Sequence, residues 1–160
     1  MSKMTTLLPY HFIVVASLLF RGCGERPQEC TEFLDLPRQQ RESQFKSYSL
    51  EKQIDMYLCA MKVEPPQLGL AYDIADGGEN AVPIVVQRLK VADKEIDQQD
   101  LIYVLEVMSD RGLLRGRKDV IAGISDVIDK MKISQVRQSS LESLKKIEIS
   151  SGIKPFTYVR

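Results

Sequence analysis

The residue types that most often carry out chemistry in proteins are scarce in this sequence. The single histidine is His11, and there is no tryptophan. Since His11 lies in an N-terminal apolar stretch that we expect to be removed, the mature chain would contain no imidazole. This excludes Ser-His-Asp triads, Cys-His pairs, histidine metal sites and histidine-ligated haem. The sequence has no glycine-rich nucleotide loop and no other cofactor motif.

Three acidic residues, Asp73, Asp76 and Glu79, flank the Gly77-Gly78 turn. Carboxylates gathered around a glycine turn could bind Ca²⁺ or act as an acid and base pair. A calcium loop needs oxygen ligands at alternate positions, which this spacing does not provide. Acidic residues before a helix start are also explained by the helix dipole. The sequence therefore favours capping and solvation for these carboxylates.

The densest basic run covers residues 111–118 and reads Arg-Gly-Leu-Leu-Arg-Gly-Arg-Lys. Its two glycines could let backbone amides approach an anion such as a phosphate or a lipid headgroup. The run lacks the spacing of a phosphate loop, and Asp110 and Asp119 neutralise part of its charge. A solvated loop between helices is favoured, with Arg115 and Arg117 as candidates for contact with a partner.

Four tyrosines are candidates for a recognition groove, because tyrosine offers rigid contact area with a polar tip. Tyr57 and Tyr103 fall within predicted apolar stripes and are expected to pack in the core. Tyr48 and Tyr72 fall near predicted helix boundaries. These two are the better candidates for contact with a partner, although boundary aromatics often serve only packing.

The N-terminal residues have the pattern of an export signal. Lys3 supplies a short positive region, and residues 12–20 form an apolar run that is too short for a membrane-spanning helix. Residues 19–23, Leu-Phe-Arg-Gly-Cys, resemble the processing site of bacterial lipoproteins, although that family usually has small, uncharged residues before the cysteine. The resemblance implies a signal peptide over residues 1–22, lipid on Cys23, and a periplasmic or lipid-anchored protein of the bacterial envelope. The alternative is an ordinary secretory signal.

The cysteine count depends on the state of Cys23. If Cys23 carries lipid, Cys30 and Cys59 remain as an even pair in an oxidising compartment and become candidates for a disulfide. If Cys23 stays free, the count is odd and no pairing is implied. Cys59 could also be simply a small buried apolar residue.

Composition and charge limit the classes of partner. The chain has 22 basic and 22 acidic residues, so it has no basic excess for nucleic acid. With 44% hydrophobic and 28% charged residues, it is too apolar for a disordered chain and too polar for a protein with several membrane spans. We expect one folded domain.

Apolar spacing divides the mature chain into a tether, a helical domain and a tail. Residues 23–44 are polar and unpatterned, which predicts a flexible tether. Apolar residues then recur at helical spacing through a domain over residues 45–150, and residues 151–160 read as an irregular tail. The six predicted helices cover approximately residues 50–61, 68–75, 82–90, 97–110, 117–132 and 139–147.

Part of this pattern resembles a known architecture. Residues 68–90, above all Gly-Glu-Asn-Ala-Val-Pro-Ile-Val-Val-Gln-Arg-Leu at 78–89, look like the paired helices of a HEAT-type repeat. Residues 101–112 and 120–131 could form a second, degenerate pair. The resemblance implies an all-α fold in which short antiparallel helix pairs stack as a small array. The alternative is an irregular bundle of five or six helices.

These features favour a non-enzymatic, exported and lipid-anchored protein whose helical face binds another protein. Stacked helices make extended binding surfaces that need no reactive residue. One alternative is an envelope hydrolase using two carboxylates, which would require a cleft where one of them has a raised pKa. Another is an immunity or inhibitor protein that occludes a toxin.

Overall fold

The structure, a computed structural model, describes residues 27–153. The predicted signal peptide, Cys23 and residues 154–160 lie outside the described residues. Within the described range the chain forms helices and turns without any β-strand, which confirms the predicted all-α class. None of these helices is both long and apolar enough to cross a membrane. The helices are α1 (Gln28–Asp35), α2 (Arg38–Ser47), α3 (Leu50–Ala60), α4 (Leu70–Ala75), α5 (Ala81–Val91), α6 (Glu95–Asp110), α7 (Lys118–Ile128) and α8 (Ser134–Ser150), and a short 3-10 helix (Gly78–Asn80) precedes α5.

Helices α3 to α8 form two layers built from consecutive pairs. α3 packs on α4, α5 on α6 and α7 on α8. Within the first layer α5 contacts both α3 and α7, and within the second layer α6 contacts both α4 and α8. Links as short as residues 92–94, between α5 and α6, require the chain to reverse direction within a pair. The domain is therefore a small array of short helix pairs.

The pairs are shifted by one helix from those that the HEAT-type resemblance suggested. That resemblance grouped residues 68–90, which are α4 and α5, and then residues 101–131, which contain α6 and α7. In the structure α4 packs mainly on α6, and α6 packs mainly on α8 and α5. Because residues 101–108 of α6 are apolar on most sides of the helix, its sequence does not reveal which neighbour is its partner.

The predicted local signals set the bounds of several helices. The Ser49 hydroxyl accepts a hydrogen bond from the Lys52 amide at 3.3 Å and so caps α3. Gly78 has a φ of +63°, which favours glycine, at the turn after α4. α6 is the central helix, as its composition predicted, and its fully buried side chains include Leu101, Ile102, Leu105 and Met108.

The start of α6 differs from the prediction. The predicted helix begins at residue 97, whereas α6 begins at Glu95 and Asp97 lies in its first turn. The Glu95 carboxylate accepts hydrogen bonds from the amides of Lys132 and Ile133, at 2.7 and 2.8 Å. Glu95 thereby joins the start of α6 to the residues just before α8.

The prediction of a flexible tether over residues 23–44 is wrong for residues 27–44, the part of it that the structure describes. Residues 28–35 and 38–47 form α1 and α2, and Phe33 and Phe45 are buried with their ring centroids 6.0 Å apart. Pro27 and Pro37 directly precede these helices, where a proline removes no helical hydrogen bond. The predicted domain boundary at residue 45 therefore falls inside α2.

Candidate functional site

Tyr72 is the most prominent aromatic side chain on the surface of the described residues. It lies on α4 and is 51% exposed, and Leu68, one turn earlier, is 45% exposed. The opposite side of α4 is buried against the core through Leu70, Ala71, Ile74 and Ala75. This burial fixes the helix so that Tyr72 and Leu68 face solvent.

Arg111, at the end of α6, packs against Tyr72. Its guanidinium carbon lies 5.8 Å from the centroid of the Tyr72 ring, a cation–π distance. The same guanidinium donates a hydrogen bond from Nη1 to Asp76 Oδ1 at 2.5 Å. Arg111 therefore holds both the exposed ring and the carboxylate that follows α4.

Tyr103 of α6 is the inner neighbour of Tyr72. Burial, followed by a hydrogen bond with Tyr72, raises the pKa of Tyr103 to about 12. Its hydroxyl is therefore protonated at neutral pH and can donate a hydrogen bond. Sequence reasoning placed Tyr103 in the core, and the structure finds it only partly buried. We call Leu68, Tyr72, Tyr103 and Arg111 together the Tyr72 surface.

The other two candidate tyrosines, Tyr48 and Tyr57, serve packing. Tyr48 is partly buried, and its ring centroid lies 6.3 Å from that of Phe33. Its hydroxyl accepts a hydrogen bond from Gln44 Nε2 at 2.6 Å. Tyr57 is fully buried, as the sequence predicted, and donates from its hydroxyl to the carbonyl oxygen of Asp100 at 3.1 Å. Of the two predicted contact tyrosines, only Tyr72 is largely exposed.

The basic run forms the loop between α6 and α7, as expected. Arg117 pairs with Asp119 through two hydrogen bonds of 3.1 Å, whereas Arg115 is exposed and takes part in none of the ion pairs found within residues 27–153. The amides of Gly112 and Gly116 donate to the carbonyl oxygens of Ser109 and Ser151. These two amides are therefore not free to cradle an anion.

The acidic set at the glycine turn is divided among different partners. Asp73 lies 3.4 Å from Lys46 Nζ of α2, and Asp76 pairs with Arg111. Within residues 27–153 there is no group of three or more histidine, cysteine or acidic side chains that could hold a metal ion. Neither the calcium site nor the acid and base pair considered at this turn is formed by these carboxylates.

A groove of about 630 Å³ lies between α1, α3, α5 and the start of α6. Cys30 and Cys59, which the structure joins in a disulfide with Cα atoms 6.3 Å apart, line it. Ion pairs cross it between helices, namely Glu29 with Lys52, Asp55 with Arg88, and Lys62 with Asp97. We call it the disulfide groove.

Two carboxylates lie close together at the start of α6. Asp97 lines the disulfide groove, with Oδ1 3.1 Å from Lys62 Nζ. Burial, followed by the negative charge of Asp97, raises the pKa of Asp100 to about 7, while Lys62 opposes the shift. Asp100 is not among the residues that line the groove.

Sequence reasoning did not identify two features of these sites. The exposure of Leu68, which lies in the turn just before α4, was not predicted. The contact of Arg111 with Tyr72 joins distant parts of the chain, and no local pattern signals it. Comparison of the chain with protein-family models, with curated proteins and with solved structures finds no match.

Proposed function

We propose that this chain is an exported protein, anchored to a membrane by lipid on Cys23, whose helical array binds another protein through the Tyr72 surface. The observation that carries the binding proposal is the exposure of Tyr72 beside Arg111. Tyrosine and arginine are enriched among the residues that dominate binding energy at protein interfaces.

The chemistry of the Tyr72 surface suggests the kind of partner. Leu68 and Tyr72 offer apolar contact area, and Tyr103 offers a protonated hydroxyl at the edge of that area. Arg115, in the loop that Arg111 begins, is exposed and makes no ion pair within the described residues. A protein segment with an apolar side chain next to a carboxylate complements these groups. Stacked helix pairs of the HEAT type bind proteins on such helical faces.

Export and anchoring rest on the N-terminal sequence pattern. Membrane fractionation of the native protein and of Cys23→Ser tests the lipid directly. We expect the native protein in the membrane fraction and the variant in the released fraction. Equal membrane retention of the two proteins would contradict anchoring through Cys23.

Site-specific photo-cross-linking tests the binding surface. A photoreactive residue in place of Tyr72 should capture one discrete protein from envelope preparations. The matched control replaces Val91, an apolar residue of α5 in the other layer that is 61% exposed. We expect the control to capture none of this protein. Equal capture at both positions would contradict a specific role for the Tyr72 surface.

The identity of the captured protein separates two forms of the proposal. A secreted or imported toxin would indicate an immunity or inhibitor protein, whereas a resident envelope protein would indicate a scaffold. Purified partner must then bind the native chain and bind Tyr72→Ala more weakly, because capture alone does not establish affinity.

The second candidate function is an envelope hydrolase, which the raised pKa of Asp100 next to Asp97 favours. The two residues lie three positions apart on one helix and approach a substrate from one side, whereas paired hydrolytic carboxylates flank the bond they cleave. Hydrolysis of dye-labelled cell-wall polysaccharide by the native protein, abolished in Asp100→Asn, would support this candidate. If the native protein releases no dye, hydrolase activity on this polysaccharide is excluded.

A further inference from the structure

The two cysteines of the disulfide differ in their exposure to solvent. Cys30 is 0% exposed, whereas Cys59 is partly exposed. Both residues line the disulfide groove, which is open to solvent. A reagent in the groove therefore has more access to Cys59 than to Cys30.

The charges of the groove suit a thiolate reagent. Its charged lining comprises four basic and three acidic side chains. Lys52, Lys62 and Arg88 are each paired with one of the acidic side chains. The excess positive charge of the lining therefore comes from Lys94. Nearby positive charge favours an attacking thiolate and stabilises the thiolate that leaves. The groove thus combines a partly exposed cysteine with a small excess of positive charge.

We propose that Cys59 is a redox-modification site, at which a dithiol reductant opens the disulfide from the groove. The incoming thiolate bonds to Cys59 Sγ, the bond between the two cysteines breaks, and Cys30 leaves as a thiolate that takes a proton from water. The second thiol of the reductant then loses its proton and attacks the reductant's own sulfur in the mixed disulfide, and Cys59 leaves as a thiolate that takes up that proton. The reductant ends as a disulfide and the protein as two thiols.

The opened bond would loosen one part of the array. The disulfide joins α1 to α3, and the other contacts that hold α1 include the Glu29–Lys52 ion pair and the buried Phe33. Reduction removes the covalent link and leaves these contacts to hold α1. This site is separate from the Tyr72 surface and does not depend on the binding proposal.

The test uses the full-length chain with Cys23→Ser, so that Cys30 and Cys59 are the two cysteines that remain. The folded protein is treated with reduced glutathione, quenched with N-ethylmaleimide, and mapped by mass spectrometry. We expect glutathione on Cys59 and maleimide on Cys30, in at least tenfold excess over the reverse arrangement. In denaturant the ratio should fall to about one. Equal labelling in the folded protein, an excess on Cys30, or exchange only upon unfolding would overturn the proposal.

Single-cysteine variants give an independent measurement of access. In the Cys23→Ser background, Cys30→Ser leaves Cys59 as a thiol and Cys59→Ser leaves Cys30. We expect Cys59 to react with N-ethylmaleimide at least tenfold faster than Cys30 under native conditions. Equal rates would also overturn the proposal.

Discussion

The guanidinium carbon of Arg111 lies 5.8 Å from the centroid of the Tyr72 ring, although the two residues belong to different helix pairs. The same guanidinium is hydrogen-bonded to Asp76, so the ring and the end of α4 share one arginine. An exposed aromatic ring that is already held in one orientation loses less conformational entropy when a partner binds. This preorganisation is why we place Tyr72 at the centre of the proposed binding surface.

Replacement of Phe33 tests whether α1 belongs to the folded domain. Phe33 is buried against Phe45 and Tyr48. Because truncation of a buried phenylalanine leaves a cavity, Phe33→Ala should lower the free energy of unfolding by about 3 kcal/mol in urea denaturation. Thr31→Ala, on the exposed side of α1, should change it by less than about 0.5 kcal/mol. Equal stability of the two variants would support the flexible tether that the sequence predicted for this segment.

Removal of the disulfide should destabilise the native chain. Cys30 and Cys59 are separated by 29 positions, and the chain-entropy model assigns a cross-link of this span about 3 to 4 kcal/mol. The double variant with alanine at both positions should lose approximately this free energy of unfolding. Amide hydrogen exchange should rise most in α1. A rise in exchange spread evenly over all helices would argue that the bond does not act on α1 in particular.

Asp100 should make stability depend on pH. Burial, followed by the charge of Asp97, raises its pKa in the folded protein to about 7, above the value expected in the unfolded chain. The folded state therefore holds a proton that the unfolded state releases, and stability falls as pH rises from about 4 to 7. The ionisable groups that interact electrostatically with Asp100 are Asp97, Lys62 and Tyr57.

The measurement compares native protein with Asp100→Asn by urea unfolding at several pH values. The comparison is the free energy of unfolding of Asp100→Asn minus that of the native protein. Because solvent screens part of the interaction, this difference should increase by on the order of 1 to 2 kcal/mol between pH 4 and pH 8. Asp97→Asn should move the titration of Asp100 to lower pH, since it removes the negative neighbour. Parallel pH profiles for native protein and Asp100→Asn would refute the assignment.

Glu95 should stabilise the junction of α6 and α8. Its contribution to stability should fall as pH falls, whereas that of Asp100 falls as pH rises. The hydrogen bonds from the Lys132 and Ile133 amides hold the pKa of its carboxyl below the usual value. Glu95→Ala should therefore lower the melting temperature at neutral pH, and the difference should vanish as pH falls through this lowered pKa. Asp93→Ala, an exposed neighbour, is the control. A difference that persists at low pH would show that the carboxylate is not responsible.

Helical spacing was sufficient to predict α3 to α8, because each of these helices buries a stripe of apolar side chains. It failed for α1 and α2, whose buried side chains are only Cys30 and Phe33 in the first and Phe45 in the second. Two buried residues do not form a stripe. These helices are held by contacts with α3 and by a disulfide, which are long-range features.

The candidate surface was predictable only in part. The position of Tyr72 near a helix boundary indicated exposure, and the same reasoning chose Tyr48, which packs on Phe33 instead. The difference arises from the tertiary placement of α1, which brings Phe33 to Tyr48. Arg115 and Arg117 were chosen from the basic run, whereas Arg111, at the start of that run, makes the contact with Tyr72.

The most direct test of the account is the dissociation constant of the partner captured at position 72, measured with purified native protein, Tyr72→Ala and Val91→Ala. Loss of a central interface tyrosine costs at least about 2 kcal/mol, which corresponds to about 30-fold weaker binding. We predict this weakening for Tyr72→Ala and a change of less than about twofold for Val91→Ala. Unchanged affinity in Tyr72→Ala, or equal weakening in both variants, would contradict the claim that this chain binds its partner through the Tyr72 surface.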